Sequence, residues 1–175
     1  MRIGTGYDSH RFAEGRELIL GGVLIPDHAG LSGHSDGDAV AHAIIDAMLG
    51  AAAAGNVGSR FPPDDDEWKD ADSMDLLARV AKILDARDYR VVNVDVTVIC
   101  ESPKIGPHSD AMCLRLGEVM RISSSQISIK GKSNEGMGWI GAGEGLAVHA
   151  VALIESQAGG PVERGGGGGG GAWPL

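Results

Sequence analysis

The sequence predicts an α/β protein of the α+β type: a single domain whose mixed β-sheet is covered by helices on one face. Three observations predict it. Strand-like and helix-like segments interleave along the chain, which implies a sheet layered with helices. The 175 residues are 43% apolar with charge interspersed, enough for one sizeable core. The last strand-like stretch, residues 145–155, is apolar at nearly every position, so both its faces want cover. Helices of a domain this size cover one face, and the other predicts burial against sister subunits.

The elements follow in order. Residues 2–10 read as a first strand with a glycine-rich centre. Residues 17–26, ELILGGVLIP, read as a second strand paired with it after the turn at Ala13-Glu14-Gly15. A loop over residues 28–37 leads into a helix over 38–54, alanine-rich and proline-free, with Ala41, Ile44, Ile45, Met48 and Ala52 at helical spacing. Residues 55–71 form an acidic, proline-bearing loop of the length that signals function. Asp72 or Ser73 caps a second helix to residue 87, with Leu76, Leu77, Val80, Ile83 and Leu84 on its apolar side. A β-branched strand over 89–100, a third helix over 107–120 and strands over 126–132 and 145–155 complete the domain. Seven consecutive glycines lie beyond it, and glycine has too much backbone freedom to fold without side chains to bury. Residues 1–156 are therefore the domain and residues 157–175 a flexible Gly-rich tail.

A formal net charge of −9 argues against nucleic-acid binding, which relies on basic surface to displace counterions. A phosphate ligand would then need local positive charge from metals, a few lysines and backbone N–H groups. No apolar run approaches the roughly 20 residues of a membrane span, and Met1 leads into Arg2-Ile3-Gly4 without a basic-then-apolar leader, so a cytoplasmic protein is expected. Cys100 and Cys113 read as reduced packing residues.

Three constellations carry chemistry. On a strand, positions i and i+2 point the same way, so Asp8 and His10 can converge on one ion, with His42 supplied by the long helix. One carboxylate and two imidazoles with an open position suit catalytic zinc or a similar divalent ion. Asp38, His42 and Asp46 share one line of that helix, so Asp38 or Asp46 is expected to orient His42. Taken singly, each of these is equally an ordinary polar residue. The second constellation, residues 34–38, gathers His34, Ser35 and free N–H groups at the positive end of the helix, which suits a phosphate. Simple capping by Ser35, Asp36 or Asp38 is the plainer alternative. In the third, residues 130–145, lysines, Ser133 and exposed backbone could hold phosphate while Glu135 takes a hard cation such as Mg²⁺. Its alternative is a flexible turn between strands.

Together these segments resemble the 2-C-methyl-D-erythritol 2,4-cyclodiphosphate synthase family. The motifs that carry the resemblance are RIGTGYDSHRF, LILGGVLIP, GHSDGDAVAHAIIDAMLGAAAAG, NVDVTVICESPKIGPH, KGKSNEGMGWIG and GEGLAVHAVALI, in the family's order from Arg2 to Glu155. The resemblance implies a homotrimer with its sheets around a threefold axis and an active site at each subunit boundary. It implies Zn²⁺ on Asp8, His10 and His42, and Mg²⁺ or Mn²⁺ near Glu135 bridging the diphosphate of a cytidine diphosphate substrate. His34 and Ser133 match the family's transition-state stabilisers. Cys100, Pro103, Lys104, Ile105 and Gly106 match the segment that cradles the cytidine; Asn56, Val57, Gly58, Phe61, Asp64 and Asp65 match the loop that receives the methylerythritol. Ser9, Ser35, Lys132, Asn134 and Trp139 complete the implied substrate contacts.

The chain departs from the family pattern at Asn56 and Pro63, where acids are usual, at Ala142 for an arginine, and at His149 for a glutamate. The first two bear on the methylerythritol loop, the last two on the trimer's central cavity. Two other readings compete with the synthase. A metal phosphohydrolase would release open-chain phosphates, and a non-catalytic trimer would bind a nucleotide or isoprenoid diphosphate without turnover.

Overall fold

The computed structural model describes residues 1–62, 65–68 and 71–157. Its elements are β1 (Arg2–Ala13), β2 (Leu18–Leu20), β3 (Val23–Ile25), β4 (Gly30–Leu31), α1 (Ala39–Ala51), α2 (Val57–Arg60), α3 (Ser73–Asp85), β5 (Tyr89–Ile99), α4 (Ser109–Met120), β6 (Ile127–Lys132), α5 (Gly138–Gly141) and β7 (Gly145–Ser156). The main sheet has the order β4-β1-β7-β5-β6; β5 and β6 run parallel and the other pairs antiparallel, so it is mixed, as predicted.

Glycines set the closest packing in the molecule. A Cβ on Gly4 would stand 2.1 Å from the Ala47 carbonyl oxygen, and one on Gly6 would stand 1.9 Å from that of Ala43. The glycine-rich centre of β1 therefore lets α1 lie directly on the strand. Opposite these glycines, α1 supplies alanines, and its Ile44, Ile45, Met48 and Leu49 are fully buried. With Leu77, Val80 and Leu84 of α3, Met112 and Leu116 of α4, and the inward residues of β5 and β7, they form one core on one face of the sheet.

Among the described residues the opposite face carries no helix. Tyr7 and Ile3 of β1 are 51% and 69% exposed there, and Tyr7 meets His149 of β7 at a ring-centroid distance of 4.9 Å. β7 buries Leu146, Val148, Ala150, Ala152 and Ile154 on the helix side, while His149 stays exposed and Val151 and Leu153 are half-buried. The expectation that one domain covers only one face of this strand matches the described residues.

The second predicted strand is corrected. Residues 17–26 do not pair with β1; they split into the β2–β3 hairpin, with Leu18 opposite Ile25. Gly21 and Gly22 turn the chain there at φ 59° and 72°, which breaks the run of apolar residues. β1 pairs instead with β7 over its length and with β4 at its end. Among the described residues no helix is long and apolar enough to cross a membrane. Cys100 and Cys113 are free thiols, and burial pushes Cys100 up to about 11. The predicted tail beyond Gln157 lies outside the described residues; Gln157 itself donates its backbone N–H to the Asp88 carbonyl.

Candidate metal and nucleotide site

The glycine contact that seats α1 on β1 also builds the metal corner. Gly4, Gly6, Asp8 and His10 share the helix-facing side of the strand, and His42, next to Ala43 on α1, reaches Asp8. Asp8 Oδ2 lies 2.9 Å from His10 Nε2 and 3.1 Å from His42 Nδ1. One ligand atom from each of the three residues lies within 4.8 Å of the others, the spacing of a metal-binding group.

The donor chemistry fits a cation. His10 Nδ1 is 2.5 Å from the Ser32 carbonyl, which can only accept, so the proton of a neutral ring sits there and Nε2 turns a lone pair toward Asp8. Burial opposes ionisation of Asp8, but its close contacts with the His10 and His42 rings outweigh it and hold the carboxyl well below its usual range. The Asp8 carboxylate, which accepts from the protonated ring, raises His10 above an ordinary histidine.

The expected orienters of His42 are corrected. Asp38 is fully buried and faces the start of α1: its Oδ1 accepts from Gly21, Val40 and Ala41 at 2.8, 3.0 and 3.0 Å, and its Oδ2 from Gly22 at 2.7 Å. A cap must point back along the helix axis, which turns it away from the His42 ring. Burial pushes Asp38 up to about 6 against those donors. Asp46 accepts from the Val57 N–H at 2.7 Å and so anchors α2. The partners of His42 Nε2 are Ser73 Oγ at 3.0 Å and Ser35 Oγ at 3.2 Å. Ser73 was visible in the sequence only as a cap, because its approach to His42 depends on α3 packing beside α1.

Beside His42, His34, Ser35, Val57, Gly58, Phe61 and Trp68 line a cavity of 220 Å³. Asn56 caps α2, accepting from the Ser59 N–H at 2.8 Å, so its amide oxygen has a partner within the loop. Asp65 accepts from the Glu67 N–H. The predicted contact Asp64, and Pro63, lie outside the described residues. Ser9, His10, Arg11 and Trp139 border a further hollow of 310 Å³.

A second corner lies apart from the triad. Cys100, Pro103, Lys104, Ile105, Gly106, Gly131, Lys132 and Ser133 line a pocket of 350 Å³ at the ends of β5 and β6. Cys100 N–H donates to the Lys132 carbonyl at 2.9 Å and joins its two walls. Glu101 Oε1 accepts from Asn134 and Gly136 N–H at 2.9 and 3.1 Å, a role unread in the sequence, and holds the turn that carries Glu135. Ser133 donates its hydroxyl to Glu135 Oε1 at 2.8 Å. Glu135 is not grouped with the Asp8 triad.

The two corners share one end of the sheet. Asp8 pairs with Val148, Val148 with Val98, and Val98 with Gly131, so the triad and the pocket are three strand spacings apart, about 14 Å.

Residues 1–155 match the YgbB family. The chain is 53% identical to a 2-C-methyl-D-erythritol 2,4-cyclodiphosphate synthase of Symbiobacterium thermophilum over 154 residues, 88% of this chain and 98% of that protein. Among solved structures it is similar to the bifunctional IspDF of Campylobacter jejuni, at TM-score 0.86 and 35% identity, covering 89% of this chain and 42% of that longer one. It is also similar to the Plasmodium falciparum IspF–CDP complex, at TM-score 0.78 and 34% identity, covering 89% of this chain and 96% of that one.

Proposed function

The chain belongs to the YgbB family, and from that premise we propose how its two corners share the work of one reaction. The protein is an enzyme that converts 4-diphosphocytidyl-2-C-methyl-D-erythritol 2-phosphate to 2-C-methyl-D-erythritol 2,4-cyclodiphosphate with release of CMP. The 2-phosphate oxygen forms a bond to the β-phosphorus of the diphosphate. The bond from that phosphorus to the bridging oxygen breaks, and CMP leaves with the oxygen. Nucleophile and electrophile belong to one molecule, so the protein must fold the substrate and balance its charge.

The observation that carries the site assignment is the convergence of Asp8, His10 and His42 beside the cavity of His34 and Ser35. Asp8, His10 and His42 would hold Zn²⁺, and Glu135, held by the Ser133 hydroxyl, would take Mg²⁺ or Mn²⁺. Bound there, the cations supply Lewis-acid neutralisation of the phosphoryl oxygens. His34 and Ser133 donate to those oxygens as charge builds. The backbone around Cys100 and Gly106 reads the cytosine edge, and Lys104 and Lys132 face the phosphates. Asn56, Val57, Gly58 and Phe61 receive the methylerythritol, with Trp139 and Ser9 at the border of the triad.

The assembly is a homotrimer with its site at the subunit boundary. Two observations support this: the uncovered sheet face bearing Ile3, Tyr7 and Leu153, and the separation of about 14 Å between the corners in one chain. Residues 1–156 form the catalytic domain, with residues 157–175 outside it, and the enzyme works in the cytoplasm.

Incubation of the protein with its substrate, Zn²⁺ and Mg²⁺, followed by ³¹P NMR, should yield CMP and a cyclic diphosphate. Both should fall by more than about 100-fold in His42→Ala. CMP with an open-chain phosphate would instead mean a hydrolase, and binding without turnover a non-catalytic protein.

A further inference from the structure

His42 is held by a residue of another helix, and we propose that Asp36 and Ser73 form a relay that fixes the tautomer of His42 and aims its Nδ1 lone pair at the cation. The inference rests on the reading of Asp8, His10 and His42 as metal ligands.

The protons of this chain of contacts can be counted. Ser73 is fully buried, and its hydroxyl has one hydrogen. That hydrogen goes to Asp36 Oδ1, 2.5 Å away. What Ser73 Oγ then turns toward His42 Nε2, at 3.0 Å, is a lone pair, so Nε2 must carry the ring hydrogen. A neutral imidazole has one N–H, which leaves Nδ1 bare, and Nδ1 faces Asp8 Oδ2.

Asp36 is itself fixed. Its Oδ2 accepts the Ser73 N–H at 3.0 Å, its Oδ1 the Asp38 N–H at 3.1 Å, and its own N–H donates to the Ala71 carbonyl at 3.3 Å. Its carboxylate cannot rotate to take a proton elsewhere without releasing two backbone N–H groups. Ser35 Oγ, at 3.2 Å from Nε2, is a longer second acceptor. Its position is set by the Gly37 N–H, which donates to the same oxygen. The relay spans three segments: the loop before α1, α1 itself and the first turn of α3. Ser73 and Asp36 are positioning residues, because neither reaches the metal.

The test is a Zn²⁺ competition titration against a chromophoric chelator, using wild type, Ser73→Ala and Asp36→Asn. Ser73→Ala should weaken Zn²⁺ binding by about 10–100-fold, the usual effect of removing the partner that holds a ligating histidine. Melting of the same proteins with and without Zn²⁺ separates positioning from packing. A packing loss lowers both curves together, whereas a lost relay shrinks the rise that Zn²⁺ produces. Wild type that fails to bind Zn²⁺ would sink the metal assignment. Wild type that binds, with Ser73→Ala binding equally well, would overturn the relay alone. If Ser73→Ala does not fold, Asp36→Asn decides by the same titration. Its amide removes the charge that holds the Ser73 proton, so a loss of about 10-fold is expected, and unchanged affinity overturns the proposal.

Discussion

The metal corner and the nucleotide corner are built in opposite ways. At the first, three side chains from β1 and α1 meet in a half-buried cluster whose free ring nitrogens are held by Ser32, Ser73 and Ser35. At the second, the Cys100 N–H joins the two walls through the Lys132 carbonyl, and Glu101 holds two backbone N–H groups of the neighbouring turn. The first therefore depends on how α1 and α3 pack, whereas the second depends on the course of its loops.

The sharpest way to break that contrast is Gly6→Ala. The added Cβ would stand 1.9 Å from the Ala43 carbonyl oxygen, so α1 must lift and carry His42 with it. We expect a loss of about 3 kcal/mol of stability and of Zn²⁺ binding together, measured by chemical denaturation and titration. Nucleotide binding by the surviving folded protein should change far less.

Glu101→Gln probes the other corner. The amide keeps one acceptor but loses the charge that two N–H groups share, so the turn through Glu135 loosens. A rise in KM of about 10-fold with unaltered Zn²⁺ affinity is expected. A parallel fall in Zn²⁺ affinity would mean that the corners are not independent.

The smallest effect is one of sign. His10 is raised above 6.5 in the metal-free fold, chiefly by Asp8, so its contribution to stability is complete below pH 6.5 and is lost as pH rises through the folded value. Asp8 is depressed, so its contribution is present above 3.8 and is lost as pH falls toward its folded value. Metal-free protein should therefore lose stability as pH rises above 6.5. Zn²⁺-loaded protein should gain over the same window, because the ion competes with the proton for the same lone pair. Parallel melting curves against pH for the two forms check this.

These corners also differ in how well they could be read from sequence. Asp8, His10 and His42 were legible because a strand repeat of two places Asp8 and His10 together and a helix needs only one residue to reach them. The three long helices and the long strands β1, β5 and β7 followed from periodicity, whereas the short helices α2 and α5 did not. The split of residues 17–26 was not legible from their apolar pattern, since it turns on the positive φ of Gly21 and Gly22. Asp38 was misread as a partner of His42 because spacing by four says which residues share a helix face, not that a cap points back along the axis. Ser73 and Glu101 act across 31 and 33 residues of chain, and no local pattern carries such contacts.

The account's central claim is that the two corners of different copies make one site. It is tested by mixing two variants, His42→Ala and Ser133→Ala, each prepared separately, dissociated, combined in equal amounts and reassembled. If the triad of one chain works with the nucleotide pocket of its neighbour, random trimers restore active sites to about one quarter of the wild-type number, and CMP release returns accordingly. If each chain works alone, every site in the mixture carries a defect. CMP release would then stay at the level of the separate variants and contradict the claim.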